Sequence, residues 1–144
     1  MKIEEASNYR GSIIALLAGE KMPVADLPET LENFVVATED NLIIGVAGLE
    51  IYGAYCLLRS LAVLPAYRNK GAATELLNKI EHMAAAKSLS EIYLLTETAP
   101  GYFSRNGYHL ITRPDVPIEV QQSSEFSYIC PQSAIVMKKT IKNS

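Results

Sequence analysis

From Phe34 onward the apolar positions fall into short β-type runs broken by turn residues. Phe34–Thr38 and Leu42–Leu49 flank Glu39-Asp40-Asn41, a hairpin signal. Tyr52-Gly53-Ala54-Tyr55 marks a second turn, and Cys56–Val63 is apolar at nearly every position, as a strand covered on both faces is. Connections this short predict an antiparallel meander of three strands. The period then changes. Ala73, Leu76, Leu77, Ile80 and Ala84 form one stripe of a helix that starts after Gly71 and ends near Lys87-Ser88, with Thr74, Glu75, Asn78, Lys79, Glu81 and His82 facing away. Glu91–Leu95 (EIYLL) reads as a buried strand, so strand, helix and strand predict a parallel pair with a right-handed crossover.

The flanks are weaker signals. Residues 2–6 predict a short first strand, and Asn8 stands where a cap would begin a helix to Leu17, ended by Gly19. Lys21–Asn33 carries prolines and mixed charge and predicts a loop with one helical turn near Pro28–Glu32. Beyond EIYLL, Ala99–Asn106 predicts a short helix stopped by Gly107, and Tyr108–Ile111 a strand. Pro117–Ser123 reads as a helical or loop excursion, and Ala134–Thr140 as a closing strand. A meander followed by a βαβ unit is an α+β arrangement on a central mixed sheet, and no linker or repeat divides residues 1–144 into more than one domain.

Composition narrows the function classes. A net charge of −3 and a pI near 5.4 leave no electrostatic footprint for nucleic acid. No window approaches the roughly 18 apolar residues of a membrane span, and the N-terminus lacks the apolar core of a signal peptide, so the expectation is a cytoplasmic protein. Cys56 and Cys130 have neither metal-ligand spacing nor disulfide density, and His82 and His109 have no ligand partners nearby, so no metal is expected.

The candidate chemistry lies in SLAVLPAYRNKGAATELL, Ser60 to Leu77. A strand stops at a proline, two basic residues and a glycine follow, and a helix begins. A helix start presents unpaired N–H groups and the positive end of the macrodipole, and a glycine there lets an anion approach the backbone. With Arg68 and Lys70 this makes a phosphate cradle, although a basic turn with a glycine chosen for loop geometry has the same spacing. Neither the Walker pattern nor the dinucleotide glycine triplet is present. What fits is Arg68-x-x-Gly71-x-Ala73 between a strand and a leucine-bearing helix, which resembles the Gln/Arg-x-x-Gly-x-Gly/Ala signature of the GNAT superfamily of N-acetyltransferases. Tyr102-Phe103-Ser104-Arg105-Asn106-Gly107-Tyr108 is similar to that family's aromatic helix ending in Gly-Phe/Tyr, and the resemblance covers roughly residues 34–111. More narrowly, Leu58–Val63, LLTETAPGYF and the tail Glu125-Phe126 with Cys130–Ala134 look like a small GNAT group associated with arsenic resistance.

The resemblance implies a GNAT-like fold with helices on both faces of the sheet, acetyl-coenzyme A as co-substrate, and direct transfer of the acetyl group to a small-molecule amine. It implies that the strands at Cys56–Val63 and Glu91–Leu95 splay apart. The pantetheine arm would then lie against backbone groups of Leu61, Ala62 and Val63. The diphosphate would lie on the amides of Asn69, Lys70, Gly71, Ala72, Ala73 and Thr74, framed by the Arg68 and Lys70 side chains. A homodimer is a further analogy from the family.

The catalytic residues depart from the family pattern. Some relatives carry a carboxylate base where Leu57 stands here. If Gly53-Ala54 closes a tight hairpin, Glu50 lies opposite Leu57 on the same face, with Arg59 its diagonal neighbour. Glu97 and water are the alternatives. By the strand's period of two, Arg59 should share a face with Leu57, Leu61 and Val63. An arginine in an apolar strand needs an anion nearby. Either it forms an ion pair with Glu50, or it grips an acidic group on the acceptor while Glu50 takes or relays a proton. For the acid, relatives commonly place a tyrosine where Phe103 stands. Tyr102 is adjacent, but one helical position turns a side chain by about 100°, so the proton comes from Tyr102 on a rotated helix or from water. Cys130, before Pro131, lines the site or is a buried bystander. A non-catalytic acyl-coenzyme A-binding module is the reading from another class.

Overall fold

The computed structural model describes residues 1–126 and 133–141. Its strands are β1 (Lys2–Glu5), β2 (Phe34–Glu39), β3 (Leu42–Tyr52), β4 (Tyr55–Val63), β5 (Glu91–Thr96), β6 (His109–Ile111) and β7 (Ile135–Thr140). The helices are α1 (Arg10–Gly19), α2 (Ala72–Ala86), α3 (Pro100–Arg105) and the single turn α4 (Ile118–Gln121). The sheet is mixed and seven-stranded, in the order β1-β2-β3-β4-β5-β7-β6. The chain divides into two compact units, residues 1–49 with 58–83, and residues 50–57 with 84–144.

In the first unit β1, β2 and β3 are antiparallel neighbours. Asp40 and Asn41, both at positive φ (50° and 66°), make the two-residue turn between β2 and β3, the geometry that matches strand twist. Ile13, Leu16 and Leu17 of α1 pack with Phe34, Val36, Val46 and Ala62. On the opposite face of β3, Gly45 lies under Leu76 of α2, so close that an added Cβ would come within 3.0 Å of it. Helices therefore cover both faces of β3, as expected. At Gly48 the ring of Phe34 occupies the space a Cβ would need. Gly48→Ala should destabilise the fold by about 1–3 kcal/mol through overpacking. The reading is a lowered urea midpoint at unchanged slope.

In the second unit β4 and β5 form the parallel pair, but the ladder is three residue pairs long, from Tyr55↔Glu91 to Leu57↔Tyr93, leaving Leu58–Val63 outside it. β7 runs antiparallel to β5 and β6. Leu57, Tyr93, Val116, Val120, Phe126 and Val136 form its core cluster.

Three helices end in one way. The residue just past the helix takes a left-handed conformation, and the next N–H reaches back to a carbonyl five residues earlier. Gly107 (φ 93°) does this for α3, as the sequence suggests, with Tyr108 N–H on Phe103 O at 3.0 Å. For α2 the left-handed residue is Ser88 (φ 59°), and Leu89 N–H reaches Ala84 O. For α1 it is Lys21 (φ 58°), with Met22 N–H on Leu17 O, so α1 ends at Gly19 as expected, with the left-handed residue two positions further on. Its cap is Tyr9, not Asn8, and makes no side-chain hydrogen bond. Tyr9 O accepts the first helical bond, from Ile13 N–H at 2.9 Å. The helical turn expected near Pro28–Glu32 is absent; bends and turns occupy that stretch.

Candidate active site

After β4 ends at Val63, Pro65–Tyr67 form one 3-10 turn and Arg68 is extended. Asn69 (φ 63°) and Gly71 (φ 86°) then turn the backbone left-handed, and α2 starts at Ala72. Gly71 O accepts from Glu75 N–H at 3.0 Å, the first bond of the helix. The amides of Ala72, Ala73 and Thr74 therefore lie ahead of the first intrahelical donor. Asn69, Lys70 and Gly71 are exposed, and a Cβ added at Gly71 would meet nothing within 4 Å. Glycine is thus required by its φ, and the space over the loop is open to a ligand. Arg68 leans back toward the strand: Nε donates to Val63 O at 3.0 Å, and the guanidinium, 51% exposed, pairs with Glu20. Lys70 Nζ lies 5.8 Å from the ring centroid of Tyr67. Glu20, beyond the end of α1, has no motif that would have announced it.

Inside β4, Ser60 adopts φ 59°, which breaks the strand's alternation. The expectation that Arg59 shares a face with Val63 is corrected by this bulge. Val63 approaches Gly45, whereas the Arg59 guanidinium lies 5.8 Å from the Phe34 ring, which covers Gly48. Gly45 and Gly48 are three apart on β3 and so point to opposite faces. The Arg59 side chain is fully buried and its fork is closed on an internal carboxylate. Nη1 and Nη2 donate to Asp26 Oδ2 and Oδ1 at 2.9 and 3.0 Å, Nη1 also to Asp26 O at 3.3 Å, and Nε to Ser60 Oγ at 3.0 Å. The anion required beside this arginine includes Asp26, a residue the sequence reading did not single out.

Gly53 (φ 65°) and Ala54 form a two-residue turn, so counting from Tyr52 opposite Tyr55 puts Glu50 opposite Leu57. Glu50 is half-buried, and Tyr52 Oη donates to its Oε1 at 2.5 Å. Glu97 is exposed just past the end of β5. On α3, Phe103 is the inward residue, with Tyr102 and Tyr108 meeting it edge-on at 5.4 and 5.7 Å. Tyr102 is half-buried, and its carbonyl accepts from Asn106 Nδ2 at 2.8 Å. Burial pushes the Cys56 thiol up to about 12, which removes it as a nucleophile. Cys130, Pro131 and Gln132 lie outside the described residues. Among the described residues, no group of three or more His, Cys, Asp or Glu side chains could hold a metal ion. No described helix is long and apolar enough to cross a membrane.

Comparison with known proteins accounts for this strand–loop–helix geometry. An uncharacterised N-acetyltransferase of Chlorobaculum tepidum is 32% identical over 113 residues, 78% of this chain and 70% of that protein. The amino-acid acetyltransferase of Aeromonas salmonicida is 26% identical over 77% of this chain, which spans only 25% of its length. Among solved structures, N-acetylglutamate synthase from Neisseria gonorrhoeae, complexed with coenzyme A and N-acetyl-glutamate, superposes with a TM-score of 0.80 at 16% identity, over 98% of this chain and 35% of that one. Residues 30–110, which hold the meander, the glycine loop, α2 and α3, match the acetyltransferase (GNAT) domain family, and the chain belongs to that family of acetyltransferases.

Proposed function

We propose that this protein transfers an acetyl group from acetyl-coenzyme A to the amine of a small acidic acceptor such as an amino acid. The observation that carries the cofactor half is the left-handed Gly71 at the start of α2, with open space above it. Residues Asn69 to Thr74 would hold the diphosphate by their amides, with Lys70 adding charge. Leu61, Ala62 and Val63 would meet the pantetheine arm along the part of β4 outside the ladder with β5. Bound acetyl-coenzyme A supplies a thioester carbonyl open to direct attack by an amine. Glu50 accepts a proton from the acceptor's ammonium, and Tyr102 Oη supplies one to the leaving sulfur. The acidic-acceptor reading draws on the names of the relatives, an amino-acid acetyltransferase and an N-acetylglutamate synthase. Arg59 serves that acceptor indirectly, by fixing Asp26 and the loop that carries it.

Two measurements test the reading. Gly71→Val forces a β-branched residue to a left-handed φ, a strain of about 1–3 kcal/mol. It should weaken coenzyme A binding roughly 10- to 100-fold by calorimetry, and Arg68→Ala less, because Arg68 is partly neutralised by Glu20. Thiol release from acetyl-coenzyme A should appear with amino acids and fall with their amides. Binding of coenzyme A without thiol release for any amine would overturn the catalytic half.

A further inference from the structure

We propose that Glu20 is an internal counter-anion for Arg68, displaced from the guanidinium when the cofactor's diphosphate arrives; this rests on the assignment of the glycine loop as the diphosphate site. Both residues belong to the first unit, and 48 positions separate them in the chain. Glu20 caps the end of α1. Its N–H reaches Leu16 O and Leu17 O, each at 3.1 Å, so the backbone fixes where the carboxylate starts. Arg68 is fixed along its own stem, since Nε donates to Val63 O at 3.0 Å while Nη2 meets Glu20 Oε1. Pairing here therefore costs less conformational freedom than it does for two long side chains meeting on an open surface. The pair is also lopsided. The Glu20 side chain is 18% exposed and that of Arg68 51%, so the guanidinium is the half that a ligand over the loop can reach.

The carboxylate stands in an unfavourable place. The C-terminal end of a helix carries the negative end of the macrodipole, and a glutamate there is repelled by the last carbonyls. The last turn of α1 contains no basic residue, and Arg68 supplies the positive charge that offsets Glu20. A diphosphate on the glycine loop brings negative charge to the same guanidinium, beside a carboxylate of like sign. Repulsion between the two anions falls as one of them moves off, and the single, partly exposed carboxylate is the one that yields. No covalent bond changes. An ion pair within the protein is exchanged for one with the cofactor, and Glu20 is left at the helix end without its offsetting charge. The net attraction of the loop for the diphosphate is smaller by the cost of that exchange, so spent coenzyme A leaves more readily than it would from an arginine that had no internal anion.

Glu20→Gln keeps an oxygen acceptor for Nη2 and removes the charge. By calorimetry it should bind coenzyme A about two- to fivefold more tightly than the parent, the scale of one partly exposed ion pair. The same substitution in an Arg68→Gln background should change Kd by less than about 1.5-fold, because no guanidinium is left to exchange. Thermal melts of the three variants establish that they are folded. Glu20→Gln protein that binds coenzyme A as the parent does overturns the exchange. Weaker binding overturns it as well, and makes Glu20 a residue that aims Arg68 at the diphosphate. Tightening of the same size in both backgrounds also overturns it, since the carboxylate then acts through its field and not through Arg68. A parent protein that binds no coenzyme A overturns the assignment of the loop itself, and the exchange with it.

Discussion

Arg59→Ala should lower the stability of the protein by about 3–5 kcal/mol, the range for removing one partner of a buried ion pair. At this chain length that corresponds to a fall in Tm of roughly 6–20 °C, read by calorimetry. The size follows from what remains. The arginine side chain is 0% and the Asp26 side chain 10% exposed, so truncation leaves a carboxylate with little access to water and without its two shortest donors. Ser60 Oγ loses its Nε–H donor as well. Double replacement by Arg59→Met and Asp26→Leu should be less destabilising than Arg59→Ala alone, because the Asp26 carboxylate is no longer stranded. A Tm within about 2 °C of the parent for Arg59→Ala would show that solvent reaches the site and that the pair contributes little. Arg59→Lys keeps the charge but cannot reproduce the two parallel bonds, so an intermediate loss is expected.

Tyr102→Phe should lower kcat by about 10²-fold with little change in KM for acetyl-coenzyme A, the scale for removing a general acid. The structure sharpens what this variant isolates. Phe103 is held inward between two edge-on rings, and Tyr102 O is tied to Asn106, so the rotation of α3 is set by contacts that the substitution leaves intact. Only the hydroxyl goes. A drop of under about threefold would mean that water, not the phenol, protonates the leaving thiolate. Phe103→Tyr provides the complementary test, since it places a phenol at the position the family commonly uses. That residue is 7% exposed, so the new hydroxyl must find a partner within the core or destabilise it.

What could be read from the sequence follows from how local each signal is. The β2–β3 hairpin, the stripe of α2 and the stop at Gly107 depend on residues a few positions apart, and all three lie where expected. α1 ends at Gly19 and α2 beside Lys87-Ser88 as expected, but the left-handed residues that stop them, Lys21 and Ser88, stand where glycine is usual. The bulge at Ser60 has no compositional mark either, and it reversed the face assigned to the residues beyond it. Asp26 lies 33 residues from Arg59, and Glu20 lies 48 from Arg68. Both are loop carboxylates among several, and only the fold selects which one meets the guanidinium. The glycine loop was legible for the opposite reason, since its strand, turn and helix start are consecutive.

Cys56 gives this protein an internal clock. Its thiol is 0% exposed, donates to Glu91 O at 3.5 Å, and sits in the middle pair of the three-pair ladder between β4 and β5. Alkylating reagents attack the thiolate, and burial suppresses that form in the native state. Modification at neutral pH must therefore proceed through molecules in which the ladder has opened. In a Cys130→Ser background, the rate of labelling divided by that of an unfolded control gives the equilibrium for this opening directly. The seam that joins the parallel strands can then be followed, with and without coenzyme A, by mass alone.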